Sequence, residues 1–415
     1  MIKQMFKLIW NRRRRNSLMI IGIFISFFSL FLVVTTINYN LGNYLKPLGF
    51  DYDDVWYLSI DWKTQDPETV AATLRQLENT LDSQLEIISK AYSISYLFMP
   101  SATSMDDYHY AGKTVNCHLF QTGDDFPNVL NLDIVRGRWF GPQDNAANYI
   151  PVVLNKYAAE ALFAGNDPIG KIIYGKDQDF QGENAEFKVV GLIDEFRNGG
   201  EFTGSKKVLL RRASLGNDLT RDFLKESFFI RILFRVRPGT TMDFEERLMK
   251  QVTHVARDWM INIDQLDSAR ISANKQSMII PTIMAIICGF LIINVALGLF
   301  GMIWYNTNRR KAEIGLRRAM GSTERQIYFQ IVGESLVLAT FGMITGIFFA
   351  VQLPLLGLIP FISTITYSVS IMLSILVIYL ITIVCALYPS NLAASLQPAI
   401  ALHALIPTLL YKSTS

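Results

Sequence analysis

Tyr305–Gln330 reads YNTNRRKAEIGLRRAMGSTERQIYFQ and lies between two long apolar runs. It holds six basic residues, Arg309, Arg310, Lys311, Arg317, Arg318 and Arg325, against two acidic ones, Glu313 and Glu324. A short Lys- and Arg-rich connection between two spans marks the cytoplasmic side of a membrane. Ile314, Arg317, Arg318 and Gly321 fall at helical spacing, and Glu313 precedes Arg317 by one turn, the favourable order for an ion pair. Gly321 is a helix stop, and Thr323 followed by Gln326 has the form of a capping box. The stretch therefore predicts a short charged helix beneath the membrane, with a second helix rising from it. Charge alone would serve topology. The AEIGLRRAMG pattern and the cap that follows point further, to a helix presented to a cytoplasmic partner.

Working outward, four runs are long enough to cross a bilayer, which takes about 20 apolar residues. The expected spans are 17–37, 279–304, 328–353 and 367–388. The 415 residues are 50% hydrophobic and 18% charged, with a mean hydropathy of +0.25. That is too apolar for an ordinary soluble protein and too charged for a bundle immersed in lipid. Charge is distributed by segment. Residues 1–39 carry +6, residues 40–278 carry −7 and residues 279–415 carry +4. The basic segments belong on the cytoplasmic face and the acidic middle belongs across the membrane. Both termini are then cytoplasmic (1–16 and 389–415), as is the 305–327 loop, while 354–366 is a short external loop without charge. Residues 1–11 suit an interfacial helix. The first span reads as an uncleaved anchor, because no small-residue cleavage site follows it. The expected fold is thus a membrane protein with four transmembrane helices and a large α+β extracytoplasmic domain, 38–278, inserted between the first and second.

Within that domain, 53–60 and 93–99 read as strands. Asp66-Pro67-Glu68 starts a helix whose apolar stripe is Val70, Leu74, Leu77, Leu81, Leu85 and Ile88. Past Met105 the texture changes to short strands and glycines. From Phe228 the first texture returns. Ile230, Ile232, Phe234 and Val236 alternate with arginines as a half-buried strand. Phe244, Leu248, Val252, Val255 and Trp259 then stripe a second helix. An α+β subdomain at about 50–105 and 205–270, split by a β-rich subdomain at about 110–200, follows from this order.

Chemistry-bearing patterns are sparse. Gly165–Lys171, GNDPIGK, imitates a P-loop, but Ile172 stands where the magnesium-binding Ser or Thr belongs. It reads as a turn. His109, Cys117 and His118 match no standard zinc spacing. Cys117 is the one cysteine in 38–278 and reads as a small buried thiol. With four histidines scattered over the chain, no catalytic, cofactor or metal residues are assigned, and nucleic acid is not an expected partner. Glu334 is the one charge in its span, where a carboxylate is costly unless paired or facing protein. It reads as a helix-interface or coupling residue, against the alternative that it reaches the headgroups. Asn294, Gly298 and Gly301 in the second span, and the Gly342/Gly346 pair in the third, are candidate helix-packing positions.

Glu313-Ile314-Gly315-Leu316-Arg317-Arg318-Ala319-Met320-Gly321, then Arg325-Gln326-Ile327 and Glu334-Ser335, resemble the signature of FtsX-like ABC transporter permeases of the MacB type. Tyr388-Pro389, Ala393-Ala394, Pro398 and Ala401-Leu402 resemble that family's post-span motif. Arg136–Phe140, Asp167–Lys171 and Val189–Gly191 resemble its periplasmic core domain. The resemblance implies an inner-membrane permease without enzyme activity of its own, ATP and magnesium being handled by a separate cytoplasmic ABC ATPase. It implies Glu313, Ile314, Gly315, Arg317, Arg318, Ala319 and Gly321 as the ATPase-coupling residues and Glu334 as a candidate relay. It implies mechanotransmission, in which ATPase closure moves the loop helix and the spans carry the motion to the external domain. The implied partners are a second permease copy or paralogue, membrane lipid, and a periplasmic adaptor and outer-membrane channel for export or efflux. An FtsX-like signalling subunit that activates a cell-wall hydrolase is the alternative function.

Overall fold

The computed structural model describes residues 13–62, 66–99, 104–177, 182–213, 229–357, 359 and 362–394. The expected interfacial helix at 1–11 and the distal tail motif from Pro398 onward lie outside the described residues. The chain divides into two compact units, Gly42–Met278 and the two flanking segments together.

Gly42–Met278 opens with strand β1 (Val55–Asp61), helix α2 (Pro67–Asp82) and strand β2 (Ile87–Ser93). It closes with β10 (Phe229–Val236), α5 (Met242–Val255) and β11 (Met260–Gln265). These strands form one antiparallel sheet in the order β11-β1-β10-β2. Two strand-helix-strand halves interleaved in this way make a ferredoxin-like split unit. Helix α2 begins where Asp66 accepts a hydrogen bond from the Thr69 amide at 3.2 Å, with Pro67 in the first turn. Both helices turn their apolar stripes onto one sheet face. Val70, Leu74, Leu77 and Leu81 of α2 and Phe244, Leu248 and Val252 of α5 share a core with Leu58, Ile60, Ile232 and Phe234.

The middle of the unit is a second body. It contains β3 (Ser104–Tyr110), β4 (Lys113–Thr122), α3 (Phe126–Leu130), β5 (Ile134–Gly137), β6 (Ile150–Asn155), α4 (Lys156–Phe163), β7 (Ile172–Asp177), β8 (Gly182–Ile193) and β9 (Val208–Arg212). Strands β4-β3-β7-β8-β6-β9 pair in sequence, and β9 pairs back on β4, so the six close on themselves. Inward residues such as Val115, Cys117, Leu119, Val152, Ile173, Phe187 and Leu209 fill the interior together with Leu162 and Phe163 of α4. The two bodies meet where Ser93 of β2 pairs with Thr122 of β4.

Four boundaries differ from the sequence reading. The strand expected at 93–99 is Ile87–Ser93. The apolar period running through Leu85 and Ile88 had carried the helix too far. It ends at Asp82, with the Ser83 amide bonded back to the Asn79 carbonyl at 3.1 Å. Leu85 is left 80% exposed and Ile88 belongs to β2. The split unit resumes at 229 among the described residues, not at 205, because Val208–Arg212 pairs with β4 and β6 of the closed sheet. Likewise the β-rich subdomain, expected from about 110, opens with β3 at Ser104, and β11 at Met260–Gln265 has no counterpart in the sequence reading. Trp259, placed on the α5 stripe, lies past the helix end yet is still buried, on Trp62.

The family-like motifs in this body have a packing reason. A Cβ on Gly137 would lie 2.3 Å from the Val190 carbonyl oxygen, and one on Gly191 would lie 2.2 Å from the Arg138 carbonyl oxygen. Backbones this close admit only glycine on both sides. Beside them Arg138 grips the buried Asp144 carboxylate at 2.7 and 2.6 Å. The GNDPIGK stretch is a closed turn. Asp167 accepts from the Ile169 amide and pairs with Arg136 at 2.7 Å, while the Gly170 amide reaches the Val189 carbonyl.

Among the described residues four helices are long and apolar enough to cross a membrane, and the flanking unit holds all of them except the ends of the first two that run into Gly42–Met278. They are α1 (Arg13–Tyr44), α6 (Leu266–Arg309), α8 (Glu324–Leu355) and α9 (Thr364–Ala394), with the short α7 (Lys311–Ala319) between α6 and α8. Each helix runs past the apolar span read from the sequence, because helix geometry continues into the polar residues on either side.

Candidate coupling site

The short helix expected under the membrane is α7. Arg317 and Arg318 lie in its last turn, which suits the negative end of the helix dipole. Gly321, at φ +96°, turns the chain out of it. Thr323 and Gln326 then form the capping box of α8, the Gln326 amide donating to Thr323 Oγ1 at 3.3 Å and the Thr323 amide to Gln326 Oε1 at 3.0 Å. Ile314 is 7% exposed and packs on Ile327 and Ile331 of α8, and Gly315 is buried beside it. Glu313, Leu316, Ala319 and Met320 remain exposed. One stripe of α7 thus anchors it to α8, and another carries apolar and charged side chains into solvent.

Polar side chains close a ring between α7 and α8. Arg310 donates to Glu313 at 3.0 and 3.2 Å and to Glu334 at 2.7 Å. Glu334 also accepts from Gln330 at 3.0 Å. Gln330 in turn accepts from Arg317 at 2.8 Å, and Arg317 returns to Glu313 at 2.7 Å. The two carboxylates and two guanidiniums bring no net charge to the ring. Hydrogen bonding to Glu313, with the Glu313 and Glu334 charges, raises the Arg310 pKa above its ordinary value despite burial. Charge-assisted bonds of this kind are the strong ones. A second tie, Arg318 to Glu324 at 2.8 Å, spans the turn between the helices.

Of the coupling residues named from the sequence, Glu313, Arg317 and Glu334 are brought into this ring, Arg318 into the second tie, and Ile314 and Gly315 into the α7–α8 contact. Ala319 points away from all of them. Arg310 and Gln330 were not singled out. Their signal was present, since Arg310 lies three residues before Glu313 and Gln330 lies four before Glu334 on a helix. The 24-residue reach from Arg310 to Glu334 has no sequence signature.

The packing positions divide. A Cβ on Gly342 would come within 2.7 Å of Ile23, and one on Gly346 within 2.3 Å of Phe27. This glycine pair therefore seats α1 on α8. The expectation that Asn294, Gly298 and Gly301 pack tightly is not met among the described residues. All three are exposed, nothing lies within 4 Å of a Cβ on either glycine, and Asn294 donates only to its own helix at the Phe290 carbonyl. His109, Cys117 and His118 are not gathered either. Strand alternation sends Cys117 into the closed-sheet interior, His118 lies on the opposite face, and His109 is engaged with Thr114 at 2.8 Å.

Comparison with known proteins matches residues 17–252 to the MacB-like periplasmic core domain and residues 271–398 to the FtsX-like permease C-terminal region. The chain belongs to the MacB/FtsX-type permease family. Among relatives of this permease, the macrolide export ATP-binding/permease protein MacB of Bdellovibrio bacteriovorus is 24% identical over 73% of the chain and 46% of its own length. The pyoverdine export ATP-binding/permease protein PvdT of Pseudomonas aeruginosa is 22% identical over 97% of the chain and 58% of its own. The chain spans about half the length of these relatives. The periplasmic region of MacB from Actinobacillus actinomycetemcomitans is 16% identical with a TM-score of 0.37, covering 56% of this permease chain and 97% of that one.

Proposed function

We propose that this chain is the permease subunit of an ABC exporter that works by mechanotransmission on an envelope substrate. The observation that carries the reading is the Arg310–Glu313–Arg317–Gln330–Glu334 ring. In this reading a separate cytoplasmic ATPase, which supplies the ATP and magnesium sites, receives the exposed stripe of α7 around Leu316, Ala319 and Met320. Closure of the ATPase pushes α7. The ring and the Ile314 contact make α7 and the foot of α8 one rigid piece, so the push tilts α8 rather than bending the turn. Gly342 and Gly346 pass that tilt to α1 by direct contact.

Both termini lie in the cytoplasm and Gly42–Met278 lies outside the inner membrane in this reading, consistent with the charge asymmetry. A second permease copy is the proposed occupant of the exposed α6 stripe of Asn294, Gly298 and Gly301. Small residues let helices approach, and polar side chains such as Asn can hydrogen-bond across them. A periplasmic adaptor and an outer-membrane channel complete the export route.

The test reverses charge at Arg317 and Arg318 together. The expected result is a protein that inserts normally but loses ATPase co-purification, or keeps the ATPase while its activity no longer responds to the permease. Full co-purification with normal ATPase coupling refutes the coupling role. Isolation of the native complex with a peptidoglycan hydrolase, in place of an adaptor or outer-membrane channel, replaces export with signalling.

A further inference from the structure

A cleft of about 360 Å³ opens between the split sheet and the closed sheet, at the junction where Ser93 meets Thr122. Sites for small ligands favour such junctions and have volumes of roughly 300–1,000 Å³. One wall is built by Arg75 and Glu78 of α2 and by Lys90 and Tyr92 of β2. The other is built by Asp124, Asp125 and Arg212. Ala91, Ala213 and Ile232 supply apolar surface between them.

Three of these six charges are in ion pairs. Arg212 holds Asp124 through two bonds of 2.7 and 2.6 Å and reaches Asn145 at 2.6 Å. Lys90 pairs with Asp82 at 2.7 Å. The Tyr92 hydroxyl donates to Glu78. Three charges are left without an ion pair among the described residues, Arg75 and Glu78 on one wall and Asp125 on the other, and of these Glu78 is held by the Tyr92 hydroxyl. Arg75 has no hydrogen bond or ion pair among the described residues. Asp125 has no ion pair there, and its carboxylate accepts only from Asn128 at 3.2 Å. Both are exposed, both line the cleft, and they do not pair with each other. A purely anionic or purely cationic ligand would meet unpaired charge of its own sign as well as of the opposite sign. A ligand with one charge of each sign answers both.

We propose that this cleft binds a small zwitterion of amino-acid to tripeptide size, its carboxylate on Arg75 and its ammonium on Asp125. The ligand would bridge the two bodies of Gly42–Met278, with its middle over Ala91 and Ile232. The reading does not depend on ATPase coupling or export, and it is tested without the ATPase.

The full chain in lipid nanodiscs is titrated with trialanine, N-acetyl-trialanine and trialanine amide by calorimetry. The expected result is saturable binding of trialanine, weakened about tenfold or more by blocking either end, the usual scale for losing a hydrogen bond to a charged group. Arg75→Ala should abolish the preference for the free carboxylate and keep that for the free amine. Asp125→Asn should do the reverse. Both substitutions are at exposed positions, so the fold should survive, as circular dichroism would show. Absence of saturable binding by trialanine, equal binding of all three peptides, or discrimination unchanged in both variants overturns the proposal.

Discussion

Arg310→Gln should destabilise the α7–α8 corner more than Glu334→Gln, although each removes the same 2.7 Å ion pair. The reason is what each leaves behind. Without Arg310, Glu313 keeps Arg317 at 2.7 Å, but Glu334 keeps only the neutral Gln330. The Glu334 side chain is 27% exposed, so a carboxylate stays partly desolvated without a counter-charge. A lost charge-assisted bond costs about 1.5–3 kcal/mol, and partial exposure places the expected cost near 2 kcal/mol. Glu334→Gln leaves no orphan charge, because Arg310 still has Glu313 at 3.0 and 3.2 Å, and should cost about 1 kcal/mol. The double variant should then be no worse than Arg310→Gln alone and should recover part of its loss, because the stranded carboxylate is gone. The assay is equilibrium unfolding of the four proteins in mixed micelles, followed by tryptophan fluorescence, with the coupling taken from the double-mutant cycle. Equal single costs that simply add in the double variant would refute the ring as an energetic unit and leave its bonds as ornament on the Ile314 contact.

Gly346→Leu should separate α1 from α8, since even a Cβ there would lie 2.3 Å from the Phe27 ring; an overpacking cost of about 1–3 kcal/mol should appear in the same unfolding measurement. A Cβ on Gly298 meets nothing within 4 Å among the described residues, so Gly298→Leu should leave monomer stability unchanged while weakening association between copies, as read by crosslinking in membranes. Asp144→Asn should destabilise the closed-sheet body by about 1–3 kcal/mol near neutral pH, because it breaks the Arg138 grip on a buried carboxylate. Hydrogen bonding from Arg138 holds the Asp144 carboxyl below its ordinary value of 3.8. Its stabilising contribution is therefore present above the unfolded value and is lost as pH falls through the folded one. The gap in stability between parent and variant should shrink as pH drops below about 4, and a gap independent of pH would show that the charge is not what matters.

The loop between α6 and α8 was legible because local rules decide it. Helical spacing, a glycine stop and a capping box each act over four or five residues, so α7 and the start of α8 lie where the sequence puts them. The four apolar helices were legible for the same reason, since length and composition alone qualify them. The α2 and α5 stripes were legible from residues that face one layer at a fixed period. The period failed at its ends, at Leu85 and Ile88, because an apolar stripe does not say where the backbone stops being helical.

What the sequence could not show is which distant segments meet. Val208–Arg212 reads as the approach to the returning strand, yet it closes the other sheet, because hydrogen bonding to β4 and β6 is non-local and leaves no periodic trace. The glycines at 137 and 191 carry no signal of why they are glycine until the two backbones are seen in contact. Arg310 was a topology charge until Glu334 was found 2.7 Å away across 24 residues. Asn294, Gly298 and Gly301 looked like packing positions and Gly342 and Gly346 looked the same. Composition determined that all five could admit a close neighbour, and only the tertiary structure decided that α1 comes to the second pair while nothing among the described residues comes to the first three, because contact depends on where a second helix is and not on how small the residue is.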